Sequence, residues 1–289
     1  MTGRTSRGFA LLRASWNVLK LDKELMIFPI LSFLACLAVL AVIATPVVVS
    51  PTLQHQLFGE GGAEEGPHSP MLWVFLFLYY LASYFLMIFF NTALVSCALI
   101  RFRGGDPTVS DGLRAAMARL PQIAAWALLA ATVGLVLGMI EERVKIVGKI
   151  IVRLIGAGWT IVTYFVVPVL AVEKLGPFAA IRRSLELLKK TWGESVVGQF
   201  SLGLATALLS LPGVALITLG VLAGDSAQSV WLVAASVTLG ALYLLVLAIL
   251  VSAMRQIFLT GTYLFASTGQ VADGFSEDQL RSAFRFKAS

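Results

Sequence analysis

What most limits the fold of this chain is a set of six apolar runs, at about residues 25–49, 72–100, 121–140, 154–172, 196–222 and 229–253, built mainly of Leu, Val, Ile, Ala and Phe. A helix rises about 1.5 Å per residue, so about 20 such residues cross the roughly 30 Å hydrocarbon core of a bilayer. Inside that core each backbone N–H and C=O must find its partner within the protein, which makes helices the default spanning element. Charged residues are only 13% of the 289, against about 25% in a soluble globular chain. The expected fold is therefore all-α: a polytopic bundle of six transmembrane helices forming a single membrane domain over residues 1–289. The first run is longer than a signal-peptide core and lacks a convincing small-residue cleavage site, so it is read as a retained span.

Six spans place both termini on one side, and the basic residues say which side. Cytoplasmic loops retain Lys and Arg. With the N terminus inside, 18 of the 22 Lys and Arg fall on the inner side, and the other four are Arg143, Lys145, Lys149 and Arg153. The first outer loop carries Glu60, Glu64 and Glu65 and no basic residue. The expected location is the bacterial inner membrane, with both termini cytoplasmic. The basic segment at 141–153 falls outside in this scheme and has two readings. It is either an amphipathic extension of the fourth span, or a stripe of Lys145, Lys149 and Arg153 that takes an anion or lipid headgroup. The first is preferred because long basic side chains near span ends commonly snorkel to the interface. All six tryptophans lie at or just before a span start, as in an aromatic belt.

The stretch "PFAAIRRSLELLKK", residues 177–190, is basic and helix-like, and "GFALLRASWNVLK", residues 8–20, repeats it at an offset of 169. Phe9, Leu12, Trp16 and Leu19 form an i, i+3, i+7, i+10 stripe, and Phe178, Ile181, Leu185 and Leu188 repeat it in phase. A shorter copy, "GLRAAMARLP", places Leu113, Met117 and Leu120 on the stripe and Arg114 where Arg13 stands. Each copy precedes an odd-numbered span. One account is three helical-hairpin repeats, each a short amphipathic inner-face helix, a span, an outer connection and a returning span. Their boundaries would be 1–105, 106–175 and 176–265, followed by a cytoplasmic tail at 266–289. The other is that amphipathic helices preceding spans converge on this pattern. Arg13, Lys20, Arg182, Arg183, Lys189 and Lys190 are the expected lipid-headgroup contacts, so anionic membrane lipids are the expected partners. Protein partners are unknown and no nucleic acid is expected.

Packing signals are general ones. Gly134 and Gly138 make GxxxG in the third span, Ser236 and Gly240 a small-xxx-small pair in the sixth, and Pro168 and Pro212 predict kinks. Chemistry is harder to find. No ionisable residue sits near the middle of a span, as ion-coupled carriers and proton relays require. Phosphate-loop, H-E-x-x-H and G-x-S-x-G patterns are absent from the sequence. His55 and His68 share an irregular, Gly-rich loop with the three glutamates, where a solvated loop is a better reading than a metal site. Cys36 and Cys97 fall inside spans, against a disulfide or zinc role. No cofactor, metal or enzymatic activity is expected. The polar cluster to examine is Asn91 with Tyr84, and Thr163 and Tyr164 as candidate partners across the bundle.

"TYFVVPVLAVEKLGPFAAIRRSLELLKKTWGES", "LTGTYLFASTGQVADGFSEDQLRSAFRFK" and "LLRASWNVLKLDKELMIFPILS" resemble an uncharacterised family of prokaryotic integral membrane proteins, domain of unknown function 6159. The residues that carry the resemblance are Tyr164, Pro168, Ser184, Gly269, Gly274, Phe275, Phe284 and Arg285. It implies a six-span membrane domain and no activity. Two functions remain open: a non-enzymatic membrane protein organising lipid or partner proteins through its basic inner-face helices, or a permeation protein for a small or lipid-like solute with a path near Asn91 and Tyr164.

Overall fold

Each of the six apolar runs folds into helix long and apolar enough to cross a membrane, and the chain is a multi-pass membrane protein. The computed structural model describes residues 15–58 and 70–270, without the side chains of residues 58, 70, 72 and 191–201. Arg13, the loop residues Glu60, Glu64, Glu65 and His68, and Gly274, Phe275, Phe284 and Arg285 lie outside the described residues. Helix α1 (residues 15–21) leads through a 3₁₀ turn (Lys23–Met26) into α2 (Ile27–Val49), the first span. A short α3 (Pro51–Phe58) follows, then α4 (Pro70–Phe102), α5 (Val109–Met117) and α6 (Leu120–Arg143). The fourth span is two helices, α7 (Ile146–Val162) and α8 (Val166–Glu173), and the last two are α9 (Pro177–Ser226) and α10 (Val230–Thr268). No strand occurs among the described residues.

The structure agrees with one preferred reading and differs from two expectations. The basic segment at 145–153 is helical from Ile146 and continuous with the fourth span, as the extension reading requires. Trp159 is consequently 13 residues, about 20 Å, along its helix rather than at a span start. There it stacks on Trp126, with centroids 5.8 Å apart and planes at 8°, so this pair belongs to the packing between α6 and α7 and not to an interfacial belt. Residues 177–190 are not a separate helix: they are the first turns of α9, which runs 50 residues without a break, about 75 Å.

The two prolines behave differently. Pro168 is the third residue of α8, and the helix before it stops at Val162, because the proline ring opposes the carbonyl four residues back. Pro212 lies inside α9 with helix on both sides. There the Tyr243 hydroxyl of α10 donates to the Leu209 carbonyl at 2.7 Å, serving backbone in the turn that the proline disturbs.

The second, fourth and sixth spans all end on left-handed backbone. Gly104 follows α4 at φ 79°, Lys174 caps α8 at φ 52° and Gly269 caps α10 at φ 72°. This conformation turns the chain out of the helix, and glycine adopts it without a Cβ penalty.

Contacts divide the chain into two units: Met1–Pro29, Cys97–Pro107 and Lys189–Ser289 in one, Ile30–Ser96 and Thr108–Leu188 in the other. In the first, Ile257 through Leu264 of α10 are buried on every face, and Val18, Leu19, Leu25 and Phe28 are buried too. Within this unit α9 and α10 close through small residues. A Cβ on Gly213 would collide with Tyr243 and Leu244, one on Gly220 with Ser236, one on Gly224 with Val233, and one on Gly240 with Ile217. The small-xxx-small pair Ser236 and Gly240 is therefore used, against Gly220 and Gly213 of α9. In the second unit the buried residues include Thr92 to Val95 of α4, Ile123, Ala127 and Ala131 of α6, and Phe165, Val166, Val169 and Leu170 around the start of α8. Gly134 and Gly138 of α6 meet nothing within 4 Å of an added Cβ, so that GxxxG takes no helix among the described residues.

Candidate functional site

The first turns of α9 have two distinct faces. Ala180, Ser184 and Leu187 have no exposed surface, and Leu188 has 2%. These positions, spaced four and three apart, are the face held by protein. The stripe expected from hydropathy is only partly buried: Phe178 is 76% exposed, and Ile181 and Leu185 are half-buried. Small residues let backbones approach closely, so Ala180 and Ser184 decide which face packs. The backbone N–H of Phe165, in the break between α7 and α8, donates to Ser184 Oγ at 2.9 Å. Ser184 thus supplies an acceptor to an amide at the break in the helix.

The basic residues of this stretch are not equivalent. Arg183 Nε donates to both carboxylate oxygens of Glu173, at 3.0 and 2.9 Å, and its Nη1 lies 3.6 Å from Glu186. It joins α9 to the end of α8 and is not a freely solvated cation. Arg182, 84% exposed, faces Glu186 at 3.4 Å, while Lys189 and Lys190 are exposed.

Helix α5 follows the same division. Gly112 and Ala116 are buried, Arg114 is exposed and Met117 is 55% exposed. Its start is a capping box: Asp111 N–H donates to Thr108 Oγ1, and Thr108 N–H and hydroxyl donate to Asp111 Oδ2. The Thr108 hydroxyl, followed by its backbone N–H, holds the Asp111 carboxyl below its ordinary range. In α1, Ser15, Val18 and Leu19 are buried, and exposed Lys20 places its ammonium 5.4 Å from the Trp16 ring.

One polar group was not anticipated from the sequence. Asp22, 7% exposed, is clasped by Arg101 through two parallel N–H bonds, and Arg101 also reaches exposed Asp106. The signal was a lone aspartate directly before the first span and an arginine at the end of the second, which a charge count treats only as topology.

In the region of the expected intramembrane cluster, Thr163 and its neighbour Thr160 turn their hydroxyls onto backbone. Thr160 Oγ1 donates to Gly156 O at 3.0 Å and Thr163 Oγ1 to Trp159 O at 2.8 Å, each back onto its own helix. Tyr84 stacks on Tyr80 at 5.9 Å, and Tyr164 meets Phe165 edge-on at 4.7 Å. Asn91 is half-buried, and its amide makes no hydrogen bond among the described residues. At the far end of α6, Arg153 pairs with Glu141 at 2.9 Å, while Lys145 and Lys149 are exposed. Among the described residues no group of three His, Cys, Asp or Glu is placed to hold a metal.

The family described as Family of unknown function (DUF6159) matches residues 71–275. No curated protein matches the chain.

Proposed function

This chain belongs to the DUF6159 family, whose function is unknown, and we propose from its own side chains that it is a non-enzymatic protein of the bacterial inner membrane that organises anionic lipid, or partners gathered there, through basic helices on its cytoplasmic face. Both termini are placed in the cytoplasm, where six crossings bring α1, α5 and the start of α9 to the side rich in Lys and Arg. The observation that carries the reading is the division of faces in α9: Ala180, Ser184 and Leu187 are held by protein, leaving Phe178 exposed alongside Arg182, Lys189 and Lys190. An apolar side chain with flanking cations suits the headgroup and acyl boundary of an anionic leaflet. Helix α5 offers the same combination in Met117 and Arg114.

Each exposed cation contributes about 1 kcal/mol near an anionic surface, so Arg182, Lys189 and Lys190 together supply about 3 kcal/mol at low ionic strength. Arg183 adds little, since Glu173 already neutralises it. The test uses full-length protein in vesicles, with Phe178→Cys carrying an environment-sensitive fluorophore in a background free of other cysteines. The emission is expected to shift to the blue in anionic vesicles, to relax as salt rises, and to relax further when Arg182, Lys189 and Lys190 become Gln. Equal emission in neutral and anionic vesicles at every salt concentration rejects the lipid reading.

A further inference from the structure

The α4 helix carries a second feature, independent of the basic helices. Trp73, Phe77, Tyr80, Tyr84, Met87 and Asn91 are spaced four, three, four, three and four residues apart, which is the a/d pattern of a coiled-coil seam. None of the six is buried: Tyr80 is 44% and Met87 41% exposed, and the other four are half-buried. In the most apolar stretch of this span only 6% of the residues are buried. Val74 and Leu78, on another face of α4, are 56% and 50% exposed and wholly apolar, so lipid suits them.

The seam is different because it is polar where it should be apolar. The Asn91 amide lies close to the middle of the span Trp73–Phe102, too deep for headgroups, and it makes no hydrogen bond among the described residues. An amide in hydrocarbon requires a partner able both to donate and to accept. Another amide at the same depth meets that requirement, and a single Asn at an a position is the residue that fixes register in a parallel pair of helices. A twofold axis along the membrane normal brings identical a positions face to face. We propose that a second copy of this chain docks along the Trp73 to Asn91 seam, forming a parallel, left-handed twofold pair in which the two Asn91 amides bond each other. The Tyr80 and Tyr84 rings, already stacked, form the adjoining layer.

The experiment uses full-length protein reconstituted in vesicles. Single cysteines introduced as Tyr84→Cys, Asn91→Cys and Leu78→Cys, with Cys36 and Cys97 replaced, are oxidised and resolved as covalent dimers, and wild-type association is counted by single-molecule photobleaching. The expected result is cross-linking at 84 and 91 and not at 78, with Asn91→Leu weakening association about tenfold. Because Asn91 makes no bond among the described residues, Asn91→Leu should leave the thermal stability of the monomer unchanged. Monomers at every protein-to-lipid ratio, cross-linking at 78 equal to that at 91, or a loss of monomer stability in Asn91→Leu each overturns the proposal, the last by placing the amide's partner within the chain.

Discussion

Ser184 is the smallest group with a large consequence. Its hydroxyl accepts the Phe165 N–H where both residues are fully buried. Ser184→Ala keeps the helix and the close approach but removes that acceptor, and a typical hydrogen bond contributes about 0.5–1.5 kcal/mol. Thermal unfolding in one detergent should show a matching loss, while Ala180→Ser, on the same face without an amide to serve, should not reproduce Ser184's contribution; a wild-type transition for Ser184→Ala would remove the bond from the ledger of stability. The sequence showed Ser184 only as one of the residues that carry the family resemblance. Hydropathy marked Phe178, Ile181, Leu185 and Leu188 as the stripe that an inner-face helix turns to the acyl boundary, and gave no sign of the separate face that protein covers. In a chain where lipid serves apolar side chains as well as protein does, size and polarity no longer identify the buried face, and closeness of backbone approach does.

Glycine shows the same ambiguity at the level of helices. Two small-residue signals were legible, one in α6 and one in α10, yet only the second is occupied among the described residues. A motif states that a helix can be approached closely and is silent on what approaches it. The α9 partners, Gly213 and Gly220, escaped notice because their seven-residue spacing gains meaning only opposite Ser236 and Gly240. These helices give a paired prediction. Gly220→Ala drives its Cβ into Ser236 and should destabilise by about 1–3 kcal/mol, as overpacking does. Gly134→Ala projects into open space and should unfold at the wild-type temperature or above. Equal effects in a thermal melt would mean that the α9 to α10 packing is looser than described. The break in the fourth span was half legible: Pro168 marked the place, but the hydroxyl that makes it tolerable comes from a helix beginning at Pro177.

For the whole molecule, apolar run length determined the number of spans, because hydrocarbon thickness admits few alternatives. Sidedness rests on charge and is a separate claim. Single cysteines placed as Gly62→Cys, Val147→Cys and Ala227→Cys in a cysteine-free background should react with an impermeant reagent added outside intact cells and stay silent to reagent confined to the cytoplasm. The reverse pattern rejects the orientation. The division into two units has a further consequence, in time rather than space. Leu25 and Phe28, near the start of the chain, are buried in the unit to which α10 belongs, the last helix described, and the turn before them packs on α10 itself. At about 5–20 residues per second, roughly 10–50 s of synthesis separate the two ends. For that interval the turn before the first span waits without its final neighbour, while Asp22 waits only about 4–16 s for Arg101, 79 residues later. A ribosome stalled before Val230 should therefore hold a nascent chain whose Leu25 and Phe28 remain open to lipid or to the insertion machinery, and the first unit should close only on release.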